Sequence, residues 1–310
     1  MNTFRPAPGR PKASAQAVWE RIPQSVRDAA KTMWAGYAKL TRGSRVLPNF
    51  LIIGTQRGGT TSLYKYLVQH PSVAHALTKE LRFFDLHYQK GIDWYRSRFP
   101  TRRHLRRMKE VRGTDPIVGE ASPDYLFHPR VPHRVAEALP NAKFIVLLRN
   151  PVDCAFSHYW HQAKRGHEPL SFEEAVAAEH ERLAGELERM MTDPAYVSYE
   201  RHHHSYLERG VYVDQLSTWL GLIPRDRFLI EPSEELFATP SVVFKRVLSF
   251  LDLPDFEPPA YEAFNAFGSG EMEPALRARL VEHFRPHNRR LYDLLGRDFG
   301  WELNPSRAPR

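Results

Sequence analysis

The chain has 310 residues, 42% apolar and 26% charged, enough for one large α/β domain or two small ones and too rich in core-forming side chains for wholesale disorder. Its single cysteine, Cys154, excludes an internal disulfide and a thiolate zinc cluster, and no apolar run approaches the ~20 residues of a membrane span. The formal charge of +8 is concentrated in residues 1–48, which carry nine Lys/Arg against two Asp/Glu, so the basic balance does not argue for nucleic-acid binding by the rest of the chain.

Residues 1–14 (MNTFRPAPGRPKAS) read as a disordered arm, without the apolar core of a signal peptide, so a cytoplasmic protein is expected. Trp19, Ile22, Val26, Ala30, Met33, Tyr37 and Leu40 then recur every three or four positions, the stripe of an amphipathic helix with Pro23 near its start. Its other face carries Arg27, Lys31, Lys39 and Arg42. Such a helix can pack on its own domain or a partner subunit, or residues 15–42 can lie on an anionic membrane surface, peripheral at the inner face.

From Pro48 the pattern alternates. Strands are predicted at Phe50–Ile53, Ile117–Glu120, Lys143–Arg149 and Arg227–Pro232. Helices are predicted over Thr61–Gln69, up to Ala136–Leu139, and over Asp153–Lys164, Ser171–Met191, Val211–Leu220, Pro240–Leu251 and Pro274–Leu295. The Ser171 helix opens with S-F-E-E, a capping-box pattern. This order predicts an α/β fold: a P-loop-like three-layer domain with a mainly parallel central sheet and helices on both faces, plus the N-terminal amphipathic helix. No repeat or long linker divides the main body. The expected domains are an arm and helix at 1–47, a main domain at 48–303 and a tail at 304–310.

The stretch 51-LIIGTQRGGTTSLYKYL-67 has the spacing of a phosphate loop, with Gly54, Gly59 and Thr61 in place, but Thr60 stands where the usual lysine belongs. Backbone N–H groups from Arg57 to Ser62 would converge at a helix N-terminus, and Gly58 and Gly59 would let the backbone approach an anion closely. A nucleoside triphosphatase needs that lysine and an acidic magnesium ligand. Neither is evident here. What remains is a loop that grips a phosphate that is not itself transferred, with Arg57 as its only cation.

With these residues in view, the sequence resembles the 3′-phosphoadenosine 5′-phosphosulfate (PAPS)-dependent sulfotransferases, closest to the branch holding heparan sulfate N- and 3-O-sulfotransferases and their bacterial relatives. The similarity runs from about Pro48 to Trp301. It rests on the glycine loop, KELRFFD (79–85), GIDWYRSRFP (91–100), GEASPDYL (119–126), KFIVLLRNPVDCAFSHYWHQ (143–162), RGVYVDQLSTWL (209–220) and RDFGW (297–301), in family order.

The resemblance implies PAPS as co-substrate and adenosine 3′,5′-bisphosphate as product. An acceptor hydroxyl or amine attacks sulfur in line, so a base must take the acceptor proton and a cation must stabilise the leaving phosphate. No metal is implied. Glu80 matches the family's catalytic glutamate, and proximity to Phe83 and Phe84 could desolvate it. Arg57 takes the position of the family's lysine; arginine keeps the charge but cannot deliver a proton near neutral pH. Residues Arg57 to Ser62 (Arg57, Gly58, Gly59, Thr60, Thr61, Ser62) would hold the 5′-phosphosulfate, and Arg149, Ser157 and Ser269 the 3′-phosphate. Arg82, Asp85, Glu120, Tyr125, His158 and His161 are candidate acceptor contacts.

Two departures weaken a heparan-like polyanionic acceptor. Ala121 replaces a lysine frequent in that branch, and the late loop FNAFGSGEMEP (264–274) carries neither base nor cysteine. The acceptor is left as a carbohydrate, another small molecule or a lipid. The run His202–His204 would point to different sides and is expected to line a cleft or surface loop, not a metal. A divergent kinase, marked by magnesium-dependent ATP binding, and a non-catalytic nucleotide-binding membrane adaptor, indifferent to Glu80→Gln, are the competing readings.

Overall fold

The computed structural model describes residues 33, 36, 37, 40–262, 264 and 270–302. Contacts divide the chain into two compact units, Met1–Gly43 and Ser44–Arg310. Of the amphipathic N-terminal helix only Met33, Gly36, Tyr37 and Leu40 are described, as helix; the rest of that expectation, and Ser269, lie outside the described residues. No helix among the described residues is long and apolar enough to cross a membrane.

Within the second unit five strands form one parallel sheet: β1 Phe50–Gly54, β2 Val73–His75, β3 Ile117–Ala121, β4 Lys143–Leu148 and β5 Phe228–Pro232, in the order β2-β3-β1-β4-β5. Side chains alternate along each strand, so a sheet covered on both faces needs apolar residues at successive positions. FLIIG and, after Lys143, FIVLL meet that demand. Leu51, Ile53, Phe144, Val146 and Leu148 enter one core, while Phe50, Ile52, Ile145 and Leu147 enter the other.

The sheet is flanked by helices that include α1 Thr60–Leu67, α2 Val131–Ala138, α3 Pro151–Ala163, α4 Tyr212–Leu222, α5 Pro240–Phe250 and α6 Pro274–Leu295. Residues of α2 and α4 (Val131, Val135, Leu216, Trp219) fill the first core, and residues of α1 and α5 (Leu63, Leu67, Phe244, Val247) the second. This is the three-layer arrangement that the alternating pattern predicts.

One local expectation is corrected and one element was not foreseen. The predicted helix Ser171–Met191 is two helices, Phe172–Leu183 and Glu186–Thr192, because the chain turns at Gly185, whose φ of +74° is readily open only to glycine. The capping box at Ser171 and Glu174 is present. The short edge strand β2 was not legible, since VAH offers too few residues for a period.

The chain leaves β1 toward β3 and β2, then returns to the other side of β1 for β4 and β5. The carboxyl ends of β1, β3 and β4 therefore surround a switch in strand order, where open parallel sheets form their ligand crevice.

Candidate active site

The glycine loop leaves β1 at this switch. Thr55 stays tied to β4, donating from its N–H (2.7 Å) and from its Oγ1 (2.9 Å) to the Leu147 carbonyl. Gly58 N–H closes the turn on the Thr55 carbonyl at 3.0 Å. A Cβ at Gly58 would stand 2.7 Å from Thr55 Oγ1, 2.8 Å from the Leu147 carbonyl and 3.0 Å from Ser233 Oγ, so only glycine fits. Arg57 and Gly59 adopt φ of +68° and +89° before α1 begins at Thr60. The N–H groups of Thr60, Thr61 and Ser62 lie in the first helical turn, where no intrahelical acceptor exists, and the helix dipole favours an anion there. The Ser62 Oγ accepts from the Phe264 N–H at 3.0 Å, tying this turn to the late segment of the chain.

Arg149 follows β4 directly. Asn150 caps α3, its Oδ1 accepting from Val152 N–H, and Pro151 pre-sets the first helical φ. That geometry places Ser157 against the loop. Arg57 Nε donates to Ser157 Oγ at 3.0 Å, and Arg149 Nη1 donates to the Arg57 carbonyl at 3.0 Å. Burial, and then the nearby Arg149 charge, pull the Arg57 pKa below its ordinary value. Sequence reasoning assigned Arg57 and Ser157 to different phosphates; the structure brings their side chains together.

Glu80 follows the end of β3 in space, its N–H donating to the Ala121 carbonyl at 3.1 Å. Glu80 and Arg82 both adopt positive φ, +60° and +52°, a conformation costing a non-glycine residue about 1 kcal/mol or more and concentrated at functional sites. The segment is held by its neighbours: Phe83 stacks on Tyr95 at 4.6 Å, and the Tyr125 hydroxyl accepts from Phe83 N–H at 2.9 Å. This accounts for the GIDWYRSRFP stretch, whose Tyr95 and Phe99 anchor KELRFFD from beneath. The expected desolvation of Glu80 by Phe83 and Phe84 is not found. Both rings are buried in the core, whereas the Glu80 side chain is 44% exposed and contacts Lys79 Nζ. Lys79 also donates to Thr61 Oγ1 at 2.8 Å, joining the glutamate to the phosphate loop. Sequence reasoning passed over Lys79, although the KE dipeptide was its signal.

The acceptor candidates divide. Glu120 is fully buried and accepts from Tyr95 (2.7 Å) and Tyr125 (3.0 Å) hydroxyls and from Ser122 Oγ (3.3 Å). Burial pushes its carboxyl up to about 7, partly offset by those bonds. Glu120 and Tyr125 therefore brace the Glu80 segment and do not face an acceptor. His158 is 1% exposed, ringed by Tyr206 and Gln162, and burial holds it neutral. It is not an alternative base in this arrangement. His161 is half-buried, and burial, then Arg165 and Arg57, pull it down to about 4, with Asp124 and Glu80 opposing.

Arg82 and Asp85 do border a recess. It is a small, half-open recess lined by Arg82, Asp124, Phe127, Met190, Arg201 and His202, among others. Arg82 pairs with Asp85 and, at 2.7 Å, with Asp124; Arg209 holds the other Asp124 oxygen at 2.7 Å. These guanidinium groups keep Asp124 ionised, well below the usual carboxylate range despite its burial. Of the histidine run, His202 lines the recess, His203 stacks on His167 at 4.3 Å, and His204 is buried against Glu200 and the His167 carbonyl.

A family model described as "Sulfotransferase domain" matches residues 47–266. The chain is 31% identical to heparan sulfate glucosamine 3-O-sulfotransferase 6 of Homo sapiens, over 84% of this chain and 75% of that protein. It is 28% identical to the membrane-associated sulfotransferase kil1 of Dictyostelium discoideum, over 91% of this chain and 72% of that one. Among solved structures, the sulfotransferase from Alicyclobacillus acidocaldarius superposes with a TM-score of 0.64 at 33% identity, covering 84% of this chain and all of that one. With glycine loop, arginine clamp and exposed glutamate gathered at one sheet edge, these similarities make the kinase reading redundant: the chain belongs to the sulfotransferase domain family and is a sulfuryl-transferring enzyme.

Proposed function

We propose that the chain moves the sulfuryl group of PAPS to a hydroxyl of a carbohydrate acceptor, with residues 48–303 as the catalytic domain. The observation that carries this reading is the convergence of Arg57, Arg149 and Ser157 on one edge of the loop, at 3.0 Å between successive partners. Two guanidinium groups, a hydroxyl and a helix N-terminus suit a nucleotide phosphorylated at two positions. The loop that would hold the donor packs against β4 and Ser233 so closely that Gly58 admits no Cβ, which fixes its shape. The acceptor class rests on the 3-O-sulfotransferase relatives, which are named for a glucosamine.

PAPS supplies a sulfuryl group whose leaving partner is a phosphate. The loop N–H groups and Arg57 hold and neutralise that phosphate, doing in place what lysine and magnesium do in phosphoryl transfer. Arg149 and Ser157 grip the 3′-phosphate, and Ser269 is proposed to join them. Glu80, on the exposed side of the loop, takes the acceptor proton. His161, neutral at pH 7, and the Arg82–Asp124 wall face the acceptor. The membrane-associated relative supports a peripheral membrane contact through residues 15–42.

Incubation with PAPS labelled in its sulfuryl group and a panel of glycans tests this. Label should pass to a glycan without magnesium and fall about 10²–10⁴-fold in Glu80→Gln. An unchanged rate in that variant would remove Glu80 as the base. Label passing only to non-carbohydrate acceptors would remove the carbohydrate.

A further inference from the structure

The loop lacks its lysine at Thr60, and Arg57 is engaged through Nε with Ser157 on one side. The opposite side carries an ammonium from elsewhere in the sequence. Lys79 Nζ lies 2.8 Å from Thr61 Oγ1, in the first turn of α1, and against Glu80 Oε1. Its side chain is only 21% exposed, so the charge is partly withdrawn from water, where an electrostatic contact is worth more than at the open surface. A surface Lys–Glu pair by itself contributes little, about 0–1 kcal/mol. What sets this one apart is its third member: the same ammonium touches the anion-binding turn and the proposed base.

We propose that Lys79 is the sulfonate-binding cation of this enzyme, donating from Nζ to the non-bridging sulfuryl oxygens while they lie between Thr61 and Glu80. The inference rests on the PAPS reading above. Arg57 and Lys79 then divide the charge between them: Arg57 on the phosphate side of the scissile bond, Lys79 on the sulfuryl side. In the transfer the acceptor oxygen bonds to sulfur, and the bond from sulfur to the bridging oxygen breaks with its electron pair left on the 5′-phosphate. The acceptor proton passes to Glu80. Lys79 keeps its three protons throughout and contributes only hydrogen bonds and charge. A compact ammonium with three donors suits a group whose oxygens rearrange during transfer, whereas the planar guanidinium suits the fixed phosphate.

The test compares affinities for PAPS and for adenosine 3′,5′-bisphosphate, which lacks the sulfuryl group, in the full chain. Lys79→Met should weaken PAPS binding about ten- to hundredfold, the range for a lost hydrogen bond to a charged group, and leave the bisphosphate within twofold. Lys79→Arg should restore most of the PAPS affinity. Equal losses for both nucleotides, or no loss for either, would overturn the assignment, because a residue that merely shapes the loop affects both ligands alike. If the wild type binds neither nucleotide, the donor reading itself fails and this inference falls with it; if it binds both and only the ratio is unmoved, the donor reading stands and Lys79 alone is excluded.

Discussion

Arg57 Nε donates to Ser157 Oγ across 3.0 Å, joining segments 100 residues apart at the carboxyl ends of β1 and β4. The bond fixes the one cation inside the glycine loop against the middle of α3. Ser157→Ala should lower bisphosphate affinity about five- to tenfold, as expected for a net hydrogen bond of roughly 1 kcal/mol. Arg57→Ala should cost more and also lower kcat by about 10²–10³-fold, the scale for losing one preorganised charge-stabilising group. Titration and steady-state rates on the two variants separate these effects.

Gly58 has no room for a methyl group. The Thr55 hydroxyl, the Leu147 carbonyl and Ser233 Oγ all fall within 3.0 Å of its Cβ position, and two of the three are tied to β4 or to the loop carbonyl. Gly58→Ala should destabilise the fold by about 1–3 kcal/mol and displace the loop. Thermal unfolding should shift down by several degrees, and bisphosphate binding should be lost well below the unfolding temperature.

Glu120 is a carboxyl that burial drives up to about 7, above the ordinary value near 4.5. Between those values the folded chain holds a proton that the unfolded chain has released. The stability it supports is complete below about pH 4.5 and is lost as pH rises through 7. Glu120→Gln mimics the protonated form and can accept from Tyr95 and Tyr125 as before. Relative to wild type it should gain on the order of 1–3 kcal/mol between pH 5 and 8. Denaturant unfolding at the two pH values checks the sign.

Asp124 works in the other direction. Arg82 and Arg209 each hold one of its oxygens at 2.7 Å and keep it ionised, so its contribution is present above the ordinary carboxylate range and lost as pH falls below it. Asp124→Asn leaves two buried guanidinium groups facing a neutral amide and should cost about 3–5 kcal/mol at pH 7. The deficit should shrink in acid. A deficit independent of pH would point to packing instead of charge.

Much of this architecture is legible in one dimension. FLIIG and, after Lys143, FIVLL carry no polar side chain at any position, which a strand covered on both faces requires, and G-T-Q-R-G-G-T-T marks the turn between them and an anion site. What sequence reasoning misplaced are groups whose meaning depends on depth. Glu120, Tyr125 and His158 belong to motifs that border the site, but each points into the core, and a motif does not reveal which of its side chains face inward. The bond from Phe264 N–H to Ser62 Oγ is equally invisible in the sequence, since it comes from a segment some 200 residues away.

The converse error concerns Lys79. Adjacent lysine and glutamate look like solvated surface, and nothing local indicates that the ammonium also reaches Thr61 across 18 residues. The break at Gly185 was missed because the charged pattern on either side continues the helical period through it.

The most direct test of the account is calorimetric titration with adenosine 3′,5′-bisphosphate in the absence of magnesium, set against ATP with magnesium, on wild type and Arg149→Ala. A sulfotransferase site built on Arg57, Arg149 and Ser157 predicts micromolar binding of the bisphosphate and its loss in Arg149→Ala. Binding of ATP alone, or bisphosphate binding indifferent to Arg149, would contradict it.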